Sequence, residues 1–266
     1  RLVEGLVNGT GYRFRIRVKD SSNNISTGIM TGVITPSATA VATVSGAVTE
    51  DTTWAAGVYY VSNNVTVNAG VRLTIQPGVI VKFASGRIMT VYGTLTAVGR
   101  AGSLVVFTAY TDDAYGGDSN GDGPSVGTPG YWGRIYFENT SSSRLEHTVV
   151  RYGGSGNAGN VYMYQSDVPV VSSDISYGSS FGIYTYNASP LIEGNTISNN
   201  GSHGIYHLYG SSPVDRNNTI TGNSHGIYVQ YATPVIDGNT ITGNTNYGIY
   251  YVDARDAAEI TNNTIT

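Results

Sequence analysis

Gly182-Ile183-Tyr184, Gly204-Ile205-Tyr206, Gly226-Ile227-Tyr228 and Gly248-Ile249-Tyr250 recur at intervals of 22, 22 and 22 residues. Val161-Tyr162 sits another 22 residues upstream, with Asn160 in place of the glycine. A second mark, Asn-Thr-Ile, ends at Ile197, Ile220, Ile241 and Ile265, at intervals of 23, 21 and 24. Pro190, Pro213 and Pro234 each open a short apolar run. A constant interval on one side with jitter on the other places the insertions in turns.

The runs between marks are too short, and too rich in Gly and Asn, for helices. Each unit holds about three short β-branched or aromatic runs, and one unit alone cannot bury its apolar side. Stacked units can, with strands about 4.7–4.9 Å apart and like residues in ladders. The expected fold is all-β, a parallel β-helix of about 22 residues per coil. Ile183, Ile205, Ile227 and Ile249 would form one inward stack, and Ile197, Ile220, Ile241 and Ile265 a second. Asn195, Asn218, Asn239 and Asn263 fall at a turn, where Asn tolerates left-handed backbone and stacked amides bond along the axis. Residues 45–266 would make roughly ten coils, a rod on the order of 50 Å long.

Composition agrees. The 266 residues include 35 Gly and 21 Tyr, and only 12% are charged, against about 25% in ordinary soluble domains. A net charge of −4 with 14 Lys+Arg argues against nucleic acid as a partner. The absence of Cys removes disulfides and thiol nucleophiles. No apolar run approaches the roughly 20 residues of a membrane span.

Residues 1–35 read as a β-hairpin. Tyr12, Phe14, Ile16 and Val18 alternate with Arg13, Arg15, Arg17 and Lys19, the period of a strand with one buried face. Asp20-Ser21-Ser22-Asn23-Asn24 then supplies a turn. The stretch from Gly5 through Leu6 and Tyr12 to Asp20 resembles the end of a fibronectin type III domain, which implies the last two strands of a partial sandwich. Residues 36–44 read as a linker. The chain begins at Arg1 and stops at Thr266, inside a repeat, so it reads as an interior piece of a longer protein.

Residues 156–266 resemble the right-handed parallel β-helix repeats of the pectin-lyase-like superfamily, of the NosD type. Thr52-Thr53-Trp54, Leu73 to Phe83 and Gly93-Thr94-Leu95-Thr96-Ala97 are similar to the early coils of large secreted bacterial β-helix proteins. The resemblance implies a secreted or cell-surface location. It leaves activity open, because the superfamily holds lyases, hydrolases, adhesins and spacers.

The sharpest local motif is Asp118-Ser119-Asn120-Gly121-Asp122-Gly123, in an insertion expected at 112–130. It fits D-x-[DN]-x-[DN]-G, in which alternate side-chain oxygens converge on Ca²⁺. Pro129 stands where the closing Glu would be, so Asp112, Asp113 or Glu138 would complete the set. Oxygen donors alone favour Ca²⁺ over Zn²⁺. The other reading is a plain Asp/Asn/Gly turn without metal.

Glu193, Asp215, Asp237 and Glu259 are also 22 apart, and stacking would bring carboxylates to separations found in glycosidases. Counting back from the nearer Asn-Thr-Ile mark instead aligns Glu193, Arg216 and Asp237, an already neutralised ladder. Catalytic Glu193, Asp215 and Asp237 and a salt-bridged turn are thus competing expectations. Lys82 is expected to lay its stem over the stack, and His203 and His225, 22 apart, are a minor metal candidate. With Ile of Gly-Ile-Tyr inward, Tyr162, Tyr184, Tyr206, Tyr228 and Tyr250 face outward. Such a strip stacks on sugar rings or a neighbouring rod, or serves only as a strand-forming ladder.

Scarce Lys and His favour a non-catalytic structural or adhesive segment of a secreted or surface protein, stabilised by Ca²⁺. A polysaccharide lyase or glycoside hydrolase is one alternative. A carbohydrate-binding module using the tyrosine strip is another. The partners implied are extracellular polysaccharide or further copies of the chain.

Overall fold

The computed structural model describes residues 11–33, 41–140, 142–253 and 258–266. From Val41 onward it is a parallel β-solenoid of about ten coils, with no helix among the described residues. Each complete coil supplies strands to three sheets, A, B and C. In one coil these are Asp174–Ser176, Phe181–Tyr186 and Leu191–Glu193. In the next they are Thr196–Ser198, His203–Leu208 and Val214–Arg216, followed by Thr219–Thr221, His225–Gln230 and Val235–Asp237. All pairings in the stack are parallel. At the first coils, Val41–Val48 and Val58–Val67 run through both A and B, joining them into one sheet, while C keeps nine strands.

The first strand pairs from Val41, so the stack begins inside the segment expected to be a linker. Residues 36–40 of that segment, and Leu6 of the expected corner, lie outside the described residues. The hairpin pairs antiparallel as expected, Arg15 with Met30 and Ile16 with Ile29. Asp20 Oδ1 accepts from the Ser22 and Asn24 amides to close its turn. Its expected buried face is not buried: Ile16 is 64% and Val18 71% exposed. Two strands alone have no second layer to bury against.

The register is the one that the Gly-Ile-Tyr spacing predicts. Ile183, Ile205, Ile227 and Ile249 pair in one row, and Ile197, Ile220, Ile241 and Ile265 in another. Burying one such side chain contributes about 1.5–3 kcal/mol. The glycine before each isoleucine has a steric cause. A Cβ on Gly204 would lie 2.7 Å from the Gly226 carbonyl oxygen, and one on Gly226 2.4 Å from that of Gly248.

Asn195, Asn218 and Asn239 are buried, and their amides bond along the axis. Asn195 Nδ2 donates to Asn218 Oδ1 at 3.0 Å, and Asn218 Nδ2 to Asn239 Oδ1 at 2.9 Å. The left-handed residue is the one before each Asn, not the Asn itself: Gly194, Asn217, Gly238 and Asn262. A second amide ladder, Asn200 to Asn223 to Asn244, was not anticipated; its mark in the sequence is Asn three residues after the ladder isoleucine.

Candidate functional site

Residues 110–134 leave the stack between sheet A strand Val105–Ala109 and sheet B strand Ile135–Glu138; the corresponding corner two coils on is only 177–180. The segment returns through Trp132, fully buried, stacked on Phe83 at 4.1 Å and donating Nε1–H to the Arg151 carbonyl.

Inside it, carboxylate oxygens of Asp113, Asp118 and Asp122 lie within 4.8 Å of one another. Asp118 accepts from the Gly121 and Gly123 amides at 2.6 and 3.1 Å. Asn120 Nδ2 donates to Asp122 at 2.7 Å, and the Ser125 amide to Asp113 at 2.7 Å. Three oxygens at this point are buried without a hydrogen-bond partner: Asp113 Oδ1, Ser119 Oγ and Asn120 Oδ1. Asp113, Asp118 and Asp122, with Asn120 hydrogen-bonded to Asp122, form an all-oxygen group that could hold a hard cation such as Ca²⁺.

Asp112 is not one of them. It is fully buried and gripped by Arg151, Nε at 2.8 Å and Nη2 at 2.6 Å, with a third hydrogen bond from the Thr108 hydroxyl. The Arg151 guanidinium also lies over the Tyr115 ring at 4.6 Å. Lys82, expected to cover the stack, instead lies buried beneath the loop and donates Nζ–H to the Gly117 carbonyl at 2.7 Å. Burial pulls its pKa down, opposed by the charges of Asp113, Asp112, Asp118 and Asp122. Two cations from sheet A therefore pin the acidic loop.

The carboxylates of the repeats do not stack. Sheet C pairs Glu193 with Arg216 and Arg216 with Asp237, and Arg216 Nε lies 2.8 Å from Glu193. Glu259 falls opposite Val235. Asp215 points inward in the row of Ile192 and Ile236, fully buried, 2.8 Å from His207 Nε2. The catalytic expectation for Glu193, Asp215 and Asp237 thus gives way to the neutralised ladder. The cause is one extra residue. In this coil Tyr209 and Gly210 are both left-handed, where the flanking coils use Asn187 or Tyr231 alone.

The tyrosines face outward in one row. Ring centroids are 5.0 Å apart for Tyr136–Tyr162, 4.5 Å for Tyr162–Tyr184 and 5.1 Å for Tyr184–Tyr206. The last two pairs lie within 14° of parallel, so their faces cover one another, and the Tyr206 hydroxyl donates to Gln230 Oε1 at 2.8 Å. The order breaks at Tyr228, turned 81° from Tyr206 and stacked on His203 at 4.5 Å; Tyr250 follows at 5.1 Å. Burial, then the neighbouring Tyr228, pushes the Tyr206 phenol up to about 12. Burial and the neighbouring His225 hold His203 down at about 4.

The family model described as "Right handed beta helix region" matches residues 130–265, just over half of the chain. The chain belongs to the right handed beta helix family. No curated protein matches it. Among solved structures, this β-helix is similar to a mutant of the periplasmic alginate epimerase AlgG, with 11% identity and a TM-score of 0.38 over 73% of this chain and 55% of that one. It is also similar to the A-module of the Azotobacter vinelandii mannuronan C-5 epimerase AlgE4, with 15% identity and a TM-score of 0.38 over 79% and 87%. The chain thus spans about half the length of the first of these.

Proposed function

We propose that this β-helix is a non-catalytic structural and adhesive segment of a large secreted or cell-surface protein. The observation that carries the reading is the fate of the repeat carboxylates: Glu193 and Asp237 flank Arg216 outside, and Asp215 is sealed inside with His207. A glycosidase needs two carboxyl groups facing one open space, and this register supplies none from that set. The leading hairpin would be the end of a fibronectin-type module. The adhesive surface would be the outer tyrosine face, offering ring edges and hydroxyls to extracellular polysaccharide or to another rod. The test is incubation of the purified chain with acidic and neutral polysaccharides. Binding without turnover, weakened by Tyr206→Ala and Tyr228→Ala, is expected; cleavage or epimerisation overturns the reading.

Calcium would close the acidic loop through Asp113, Asp118, Asn120 and Asp122, in a stabilising role. Calcium should raise the melting midpoint, a chelator should reverse the rise, and Asp118→Asn with Asp122→Asn should abolish it. An unchanged midpoint in the native chain counts against the site.

A further inference from the structure

Beside the outward tyrosines runs a second row. Phe181, His203, His225 and Tyr247 open four successive strands of sheet B, and His203 pairs in register with His225. The two imidazole centroids lie 4.8 Å apart, with the rings at 83°. Both residues are half-buried.

Their neighbours hold the rings in place. His203 stacks on Phe181 of the preceding coil at 5.1 Å and on Tyr228 of the following coil at 4.5 Å; this contact takes Tyr228 out of line with Tyr206. His225 stacks on Tyr247 at 5.5 Å. Each imidazole also keeps Nδ1 3.3 Å from the hydroxyl of the serine before it, Ser202 and Ser224. Nε2 of both rings has no hydrogen-bond partner among the described residues.

An Nδ1–H donated to serine leaves the lone pair on Nε2, the arrangement in which a ligating histidine is oriented by the group behind it. Two imidazoles that share a tetrahedral ion at about 2.0–2.1 Å from each nitrogen have centroids roughly 5 Å apart, close to the separation of this pair. Burial and the neighbouring His225 hold His203 down at about 4, and burial lowers His225 as well, so both rings are neutral, as ligation requires.

We propose that His203 and His225 form a surface site for a borderline divalent transition-metal cation of the Zn²⁺, Ni²⁺ and Cu²⁺ class, with water completing the coordination. Imidazole suits these ions, whereas Ca²⁺ takes oxygen ligands. The site shares no residue with the acidic loop and stands whether or not that loop holds calcium.

The test is calorimetric titration of Zn²⁺ into the native chain with Ca²⁺ in excess to occupy the acidic loop. One ion per chain is expected. His203→Phe/His225→Tyr continues the row with the residues that the adjoining coils place there, so it is expected to keep the fold and to weaken binding by about tenfold or more. His147→Gln, in a turn outside sheet B, should leave the affinity unchanged. Nitrogen-15 NMR of the native chain should show Zn²⁺ moving the Nε2 signals of His203 and His225 and not those of His147. Equal affinity in the native chain and the double variant, or Nε2 signals that Zn²⁺ leaves in place, would overturn the proposal and make the row aromatic packing alone. Should the double variant fail to fold, the NMR result decides.

Discussion

Truncating Asn218 to Ala is the sharpest probe of what holds the coils together. Its side chain is 1% exposed and makes four hydrogen bonds. It accepts from the Asn195 amide and Asn195 Nδ2, and donates to the Ile192 carbonyl and Asn239 Oδ1. After truncation, the Asn195 amide and the Ile192 carbonyl lose their side-chain partner inside a buried ladder. At about 1–3 kcal/mol for each unsatisfied buried group, the cost is about 4 kcal/mol. For a chain of this size that is a fall of roughly 8–16 °C in the melting midpoint. Asn246→Ala is the control: Asn246 is exposed, its side chain donates to Ser224 Oγ at 2.8 Å, and surface changes of this kind stay within about 0.5 kcal/mol. Urea unfolding followed by circular dichroism reads both. If Asn218→Ala costs no more than Asn246→Ala, the amide ladder is not what joins the coils.

Other outcomes follow from the same geometry. Asp112→Ala strands the Arg151 guanidinium and should cost about 3–5 kcal/mol, with faster proteolysis in 110–134; an unchanged cleavage rate would mean the loop is held elsewhere. Gly204→Ala should be strongly destabilising, because its Cβ meets the Gly226 carbonyl at 2.7 Å, whereas Gly70→Ala meets nothing within 4 Å and pays only for its positive φ. The ordering of their midpoints checks this. His203 is held at about 4 in the fold against about 6.5 unfolded. The unfolded chain therefore takes up a proton first, and stability falls as pH drops from about 6.5 to 4, by roughly 1–2 kcal/mol once solvent screening is allowed for. His203→Phe, which copies Phe181, should flatten that slope; an unaltered slope refutes the assignment.

The architecture was legible because one landmark, Gly-Ile-Tyr, repeats without jitter and steric need forces its glycine. The Asn-Thr-Ile turn was legible for a similar reason, although the left-handed residue proved to be its predecessor. Acid positions were ambiguous because the extra residue at Tyr209-Gly210 separates the two landmarks, and counting 22 from Glu193 lands on Asp215 rather than Arg216. Asp112 looked like a ligand because Arg151, 39 residues away, meets it only through the winding of the coil. Lys82 was misplaced because nothing local reveals that an insertion folds back over its strand. His207 and Asp215 went unpaired because they lie in different rows, and nothing local shows that the two side chains meet inside the coil.

The two registers make opposite claims that a chain without cysteine can decide cleanly. In-register neighbours on adjacent coils lie about 4.8 Å apart, within the Cα range of a disulfide. Glu193→Cys/Arg216→Cys should therefore cross-link readily under mild oxidation, and Glu193→Cys/Asp215→Cys should not. Cross-linking of the second pair and not the first would stack Glu193 on Asp215 and restore a stacked carboxylate pair.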